Sequence, residues 1–290
     1  MTTLKPWYIS LIGTFALSIF CQKAEAATRF SGVGEDAATA FEAMKTAIGG
    51  LDNTTAIGPQ NGGFRTVNWD GVLLDGTDFG GNTQVIVPNQ VVGIPEDRFL
   101  SRGALYDDVY IVSGDGLESV NSGVTGQFPA FSPDNIFVHF GEDDNEIDQS
   151  FTLAGTTTPA ATRGFGAIFL DVELPETSSI EFFNGSVSLG QYFVEPGGSG
   201  QPSFLGVLFD EPVVTEVELI LGNNTIFDVD LDTNNITSGL ADDPENGIDL
   251  VATDDLIYAE PEIAQEVPEP SALVALLFVG LFPKLCGKKQ

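Results

Sequence analysis

Basic residues are scarce in this chain: 11 Lys and Arg stand against 42 Asp and Glu in 290 residues, a formal net charge of −31. A nucleic-acid partner needs a basic face to neutralise phosphates, and an anionic membrane surface needs the same, so neither fits this composition. Histidine is rarer still. His139 is the only one, so a Ser-His-Asp triad has one choice of base and a conventional zinc site lacks its ligands. In the segment Asn135-Ile136-Phe137-Val138-His139-Phe140 it falls on the strand face opposite Ile136, Val138 and Phe140, which reads as an ordinary strand histidine rather than a catalytic base. There are two cysteines, Cys21 and Cys286, one near each end, so the body of the chain has neither a disulfide nor a cysteine nucleophile. No phosphate-binding loop and no dinucleotide fingerprint is present.

The two ends read as addresses. Lys5, the apolar stretch 7–20 and Ala24-Glu25-Ala26 form the three parts of a secretory signal peptide, with Ala24 and Ala26 at the cleavage site for signal peptidase. At the other end Val267-Pro268-Glu269-Pro270-Ser271 precedes the apolar run 272–282, and Lys284, Lys288 and Lys289 follow it. The run is shorter than the ~20 residues that span a bilayer, so with snorkelling lysines it suits transient anchoring. This order resembles the PEP-CTERM sorting signal of Gram-negative bacteria, with two departures: Pro283 directly after the run, and lysine where the family usually carries arginine. The resemblance covers about the last two dozen residues. It implies recognition of Pro268, Glu269 and Pro270 by an exosortase, a C-terminal hydrophobic helix, membrane anchoring before processing, and delivery to the cell surface or an exopolysaccharide matrix. The segments Phe64-Arg65-Thr66-Val67-Asn68-Trp69-Asp70-Gly71, Arg163-Gly164-Phe165-Gly166-Ala167, Ser179-Ile180-Glu181-Phe182-Phe183 and Asp254-Asp255-Leu256-Ile257-Tyr258 are similar to other exported PEP-CTERM β-proteins, which implies a shared fold and no particular activity.

Between the two signals lies one domain. Hydrophobic residues make up 42% of the chain and Phe alone accounts for 22 positions, enough for a substantial core. One helix is expected over 35–48, where Ala37, Phe41, Met44 and Ile48 fall on one stripe, Glu35 and Asp36 favour the N-terminus, and Gly49-Gly50 stop it. Period-two patterning follows, broken by Gly, Pro, Asn and Asp clusters. It predicts strands over 64–69, 83–87, 109–113, 135–140, 147–153, 165–172, 179–183, 187–194, 204–209, 213–221, 226–231 and 250–258. The absence of a βαβ rhythm points to a mainly β protein, a jelly-roll-like β-sandwich. The expected organisation is residues 1–26 as signal peptide, 27–262 as the β-sandwich domain, and 263–290 as linker plus sorting signal.

Removing the signals leaves six bases against 40 acids between residues 27 and 267, and no base stands between Arg163 and Lys284. Such repulsion opposes compaction unless cations relieve it. Calcium takes several carboxylate and carbonyl oxygens, so the acidic clusters are its candidate sites. Asp228, Asp230 and Asp232 alternate in one segment but lack the Gly and Glu of an EF-hand, since Thr233 and Gly239 hold those positions. Asp143 and Asp144 sit in a second cluster, Asp242 and Asp243 in a third, Asp254 and Asp255 in a fourth. Each also fits a solvated acidic loop. Trp69, the one Trp between the signals, serves either as core or as a platform for a sugar ring; exposure alongside two tyrosines would favour the platform. The first functional expectation is therefore a non-catalytic exported surface or matrix protein, with exopolysaccharide as a partner. A calcium-assisted, lectin-like carbohydrate-binding module is the alternative. A carboxylate-dependent glycan hydrolase is the remaining one, requiring a carboxylate pair in a cleft with one raised pKa.

Overall fold

A computed structural model describes residues 27–139, 145–230 and 235–263. Ala24 and Ala26 of the expected signal-peptide cleavage site, Pro268, Glu269 and Pro270 of the expected sorting signal with the hydrophobic helix expected after them, and the acids Asp143, Asp144 and Asp232 lie outside the described residues. No described helix is long and apolar enough to cross a membrane.

The protein is mainly β. The elements run β1 (Ala27–Val33), α1 (Glu35–Ile48), β2 (Phe64–Val67), β3 (Gln84–Val87), β4 (Val91–Ile94), β5 (Ala104–Tyr106) and β6 (Tyr110–Ser113). They continue through β7 (Ile136–Val138), β8 (Glu146–Phe151), β9 (Ala160–Ala161), β10 (Gly164–Leu170), β11 (Ser179–Asn184) and β12 (Val187–Phe193). The chain then forms β13 (Pro202–Phe209), β14 (Glu216–Ile220), β15 (Phe227–Asp230), β16 (Asn235–Ser238), β17 (Ala252–Ala259) and β18 (Glu262–Ile263). One sheet has nine strands in the order β1-β13-β10-β17-β7-β6-β4-β3, with β2 also on β17, and a second has five in the order β12-β11-β14-β8-β5. The pairings are antiparallel, and neighbours in the sheet are often far apart in sequence: β10 pairs with β13 on one side and with β17 on the other.

The helix forms where the apolar stripe predicts it. Ala37, Ala40, Phe41, Met44 and Ile48 are buried, and Gly49 ends the helix at φ +70° with its N–H on the Lys45 carbonyl. The buried face packs on the nine-stranded sheet, where Phe41 meets Phe204 edge-on at 5.4 Å. A strand precedes the helix, contrary to the expected order of helix then strands. β1 is an edge strand whose first three residues are exposed, so its alternation is weak and its signal is non-local: it is defined by pairing along the whole of β13. The short β4, β5, β9, β16 and β18 also went unpredicted, each four residues or fewer.

Aromatic rings carry the contacts between the two larger sheets. Phe151 of β8 lies 6.2 Å from Phe165 of β10 and 5.4 Å from Tyr258 of β17. Phe182 of β11 lies 5.6 Å from Phe209 of β13. Such pairs contribute about 0.5–1.5 kcal/mol each beyond the area they bury. One ion pair also lies in the interior. Arg65 of β2 donates through Nε and Nη2 to the two carboxylate oxygens of Glu260, at 2.7 and 2.9 Å, and both side chains are fully buried. Nη1 and Nη2 also donate to the carbonyls of Ala56 and Gly58, while Glu260 accepts from Asn53 Nδ2 and the Gln60 N–H. Donors and acceptors are matched on both sides, and the loop 52–62 is tied to the β2–β17 edge.

Candidate functional site

Trp69 is the first sequence candidate that the structure relocates. It is completely buried, stacked on Phe137 with ring centroids 3.7 Å apart, and its indole N–H donates to the Asp254 carbonyl at 2.8 Å. Tyr106, Tyr110 and Tyr258 are buried as well. Of the two readings of Trp69, core holds and the sugar platform does not, because the chain just after β2 turns the indole inward against Phe137 of β7. Two surface clefts of about 280 and 300 Å³ include neither Trp69 nor a tyrosine. His139 is also buried; its Nε2 accepts the Ile226 N–H at 3.2 Å, and loss of hydration lowers its pKa to about 3, so it stays neutral.

Asp228 and Asp230 project from one face of β15 in a two-stranded hairpin with β16 rather than from a loop. Asp254 and Asp255 sit on β17 and meet Ser132. The Ser132 hydroxyl lies 2.8 Å from Asp255 Oδ1, 3.2 Å from Asp254 Oδ1 and 3.3 Å from Asp70 Oδ2. One hydroxyl proton serves one of these oxygens at a time. Asp254 Oδ2 additionally accepts the N–H groups of Phe131 at 2.6 Å and Ser132 at 3.2 Å. Burial, then the Asp255 charge, raises the Asp254 pKa to about 8, and burial raises Asp255 as well.

A second acidic cluster is less provided for. Asp171 follows the last residue of β10 and is completely buried in a left-handed conformation, φ +72°. Its Oδ1 accepts the N–H of Gly200, which itself needs φ +68° to present it. Its Oδ2 is buried with no hydrogen-bond partner. Two residues on, Glu173 is half-buried and its Oε2 is likewise enclosed and unpartnered. Asp242 reaches in from the loop between β16 and β17; it accepts the Leu250 N–H at 2.9 Å and Gln127 Nε2 at 3.4 Å. One carboxylate oxygen each from Asp171, Glu173 and Asp242 lies within 4.8 Å of the others. The amide oxygen of Gln127, whose nitrogen touches Asp242, is also buried and unpartnered.

Asp249 supports the cluster without joining it. Its carboxylate accepts the N–H groups of Glu173 at 3.1 Å and Leu174 at 3.3 Å and the Thr177 hydroxyl, fixing the turn that aims Glu173. Gly222 allows the segment to close in: a side chain there would collide with the Asp249 carbonyl. Burial, followed by the Asp242 and Asp249 charges, raises Asp171 to about 7. Burial, then the closeness of the Asp242 carboxyl, raises Glu173 to about 8. The charges acting on both are acidic; no Lys or Arg is among them.

Asp242 was legible in the sequence as part of an acidic cluster, but Asp171 and Glu173 were not. The one signal for Asp171 is an acid placed at the end of the apolar run 164–172, in a stretch without a base. No protein-family model, no curated protein and no solved structure matches this chain.

Proposed function

We propose that the chain is an exported, non-catalytic surface or matrix protein: a β-sandwich domain carried out of the cell by the N-terminal signal and sorted by Pro268, Glu269 and Pro270. The observation that carries this reading is the tripartite C-terminal order of motif, apolar run and lysines. Two features of the domain support it. Its strands run from Ala27 to Ile263, so the sheets use the residues between the two signals. Its excess of acids, with no cysteine between the signals, suits a domain held by its core and by cations in an extracellular medium. Signal peptidase and an exosortase act on it in transit, and exopolysaccharide is its partner at the destination. The β-sandwich assignment rests on the nine-stranded and five-stranded sheets and the aromatic contacts between them.

The test is fractionation of a Gram-negative host that carries an exosortase. The wild-type chain is expected in the surface or extracellular fraction as a shortened species. A variant with Pro268, Glu269 and Pro270 all changed to Ala is expected at full C-terminal length in the membrane fraction. Identical size and location for the two would contradict the reading.

A further inference from the structure

We infer that Asp171, Glu173 and Asp242 form a calcium site that joins the end of β10 to the loop between β16 and β17. This goes beyond the sorting reading and does not depend on it.

A buried carboxylate oxygen without a donor is costly, because it has lost its hydration and gained nothing. Asp171 is completely buried with Oδ2 in that state, and Glu173 Oε2 and Gln127 Oε1 share it. The orphaned oxygens of Asp171 and Glu173 belong to carboxylates of one short segment that meet Asp242 from another, with Gln127 beside Asp242. The charges acting on Asp171 and Glu173 are acidic, with no base among them. By contrast, the carboxylates of Asp254 and Asp249 are supplied with backbone and hydroxyl donors.

The geometry matches a hard cation. Calcium binds oxygens at about 2.3–2.6 Å, so oxygens on one calcium stand at most about 5 Å apart. The three carboxylates fall within 4.8 Å. The donor set holds only carboxylate oxygens, which excludes the softer metals that require His or Cys. Calcium fits better than magnesium because its ligand shell is larger and irregular, whereas magnesium keeps an octahedral set with several waters that this enclosed group does not accommodate. Glu173 and Asp242 are half-buried, so the ion has a path from solvent. Asp249 acts as a positioning residue, holding the backbone of Glu173 rather than the ion.

Calorimetric titration of the metal-free full chain with calcium chloride at pH 8 tests this. The wild type is expected to bind saturably. Asp171→Asn and Glu173→Gln are each expected to weaken binding by about tenfold or more. A double variant of β15, Asp228→Asn with Asp230→Asn, is expected to leave it unchanged. Asp171→Asn keeps the acceptor for Gly200 and removes a buried charge, so its metal-free melting temperature is expected at or above that of wild type, which separates loss of binding from loss of fold. Absence of saturable heat, equal affinity in the Asp171 and Glu173 variants, or loss confined to the β15 variant would each overturn the site. Magnesium binding as tight as calcium would overturn the identity of the ion.

Discussion

The Arg65–Glu260 pair and the Asp171–Glu173–Asp242 cluster both place charge inside the protein, and they meet the cost of burial in opposite ways. In the first, a guanidinium faces a carboxylate, and further bonds run from the guanidinium to the Ala56 and Gly58 carbonyls and to the carboxylate from Asn53 and Gln60. In the second, acids face acids, and the oxygens Asp171 Oδ2 and Glu173 Oε2 have no partner. The first is complete within the chain; the second is complete only with a proton or a cation. The difference teaches that the scarcity of bases is not uniform in its effect. This protein spends one of its few arginines on the β2–β17 edge and leaves the end of β10 to an ion from outside.

Breaking the first cluster produces the largest effect. Glu260→Gln leaves the fully buried Arg65 without its counter-charge and is expected to destabilise the fold by about 3–5 kcal/mol. Denaturant unfolding measures it, and the same loss is expected with and without calcium, because the two clusters share no residue.

Filling the second cluster comes next. Binding to the folded state alone stabilises by mass action, about 2.7 kcal/mol at a free calcium concentration of one hundred times Kd. Unfolding in calcium against unfolding in a chelator reads this directly, and a tenfold or greater loss of affinity in Asp171→Asn is expected to cut the gain to about half or less.

Protons sharpen the comparison further. With folded-state values of about 7 for Asp171 and about 8 for Glu173, against about 4 in an unfolded chain, the folded state holds protons that the unfolded chain has released. Stability without metal therefore falls as pH rises from about 4 through 8, by on the order of 1 kcal/mol or more. Asp254, raised to about 8 by burial and the Asp255 charge, contributes in the same window, so the share of the metal cluster is the part removed by Asp171→Asn. Calcium competes with these protons, and its affinity is expected to weaken as the pH is lowered from 8 to 6. The smallest effect belongs to the exposed pair Lys45–Glu42, 2.7 Å apart on α1, where Lys45→Ala is expected to cost a few tenths of a kcal/mol and to vanish in high salt.

Much of the scaffold was legible because its signals are local. The stripe of Ala37, Phe41, Met44 and Ile48 marks α1, and alternation bounded by Gly and Asn marks hairpins such as β11–β12 around Gly185. Elements defined by distant partners were not. β1 exists because β13 lies beside it, and β5 pairs with β8 some forty residues later. The same limit governs the site. Acids clustered along the chain drew attention to 228–232 and 254–255, yet the group with unsatisfied oxygens is assembled from Asp171 and Glu173 on one segment and Asp242 some seventy residues on, and only the fold brings them together. Trp69 marks the converse limit, since one aromatic in an alternating strand does not say which face is inward; its stacking on Phe137 does.

The most direct measurement of the central contrast is calorimetric melting of the full-length wild type, Asp171→Asn and Glu260→Gln, each in calcium, in magnesium and in chelator at matched ionic strength. Calcium at about one hundred times the wild-type Kd is expected to raise the wild-type and Glu260→Gln transitions by about 5–10 °C, from different starting points, and to raise Asp171→Asn by about half as much or less. A calcium shift of the same size in Asp171→Asn, or an equal shift from magnesium or salt, would contradict that contrast.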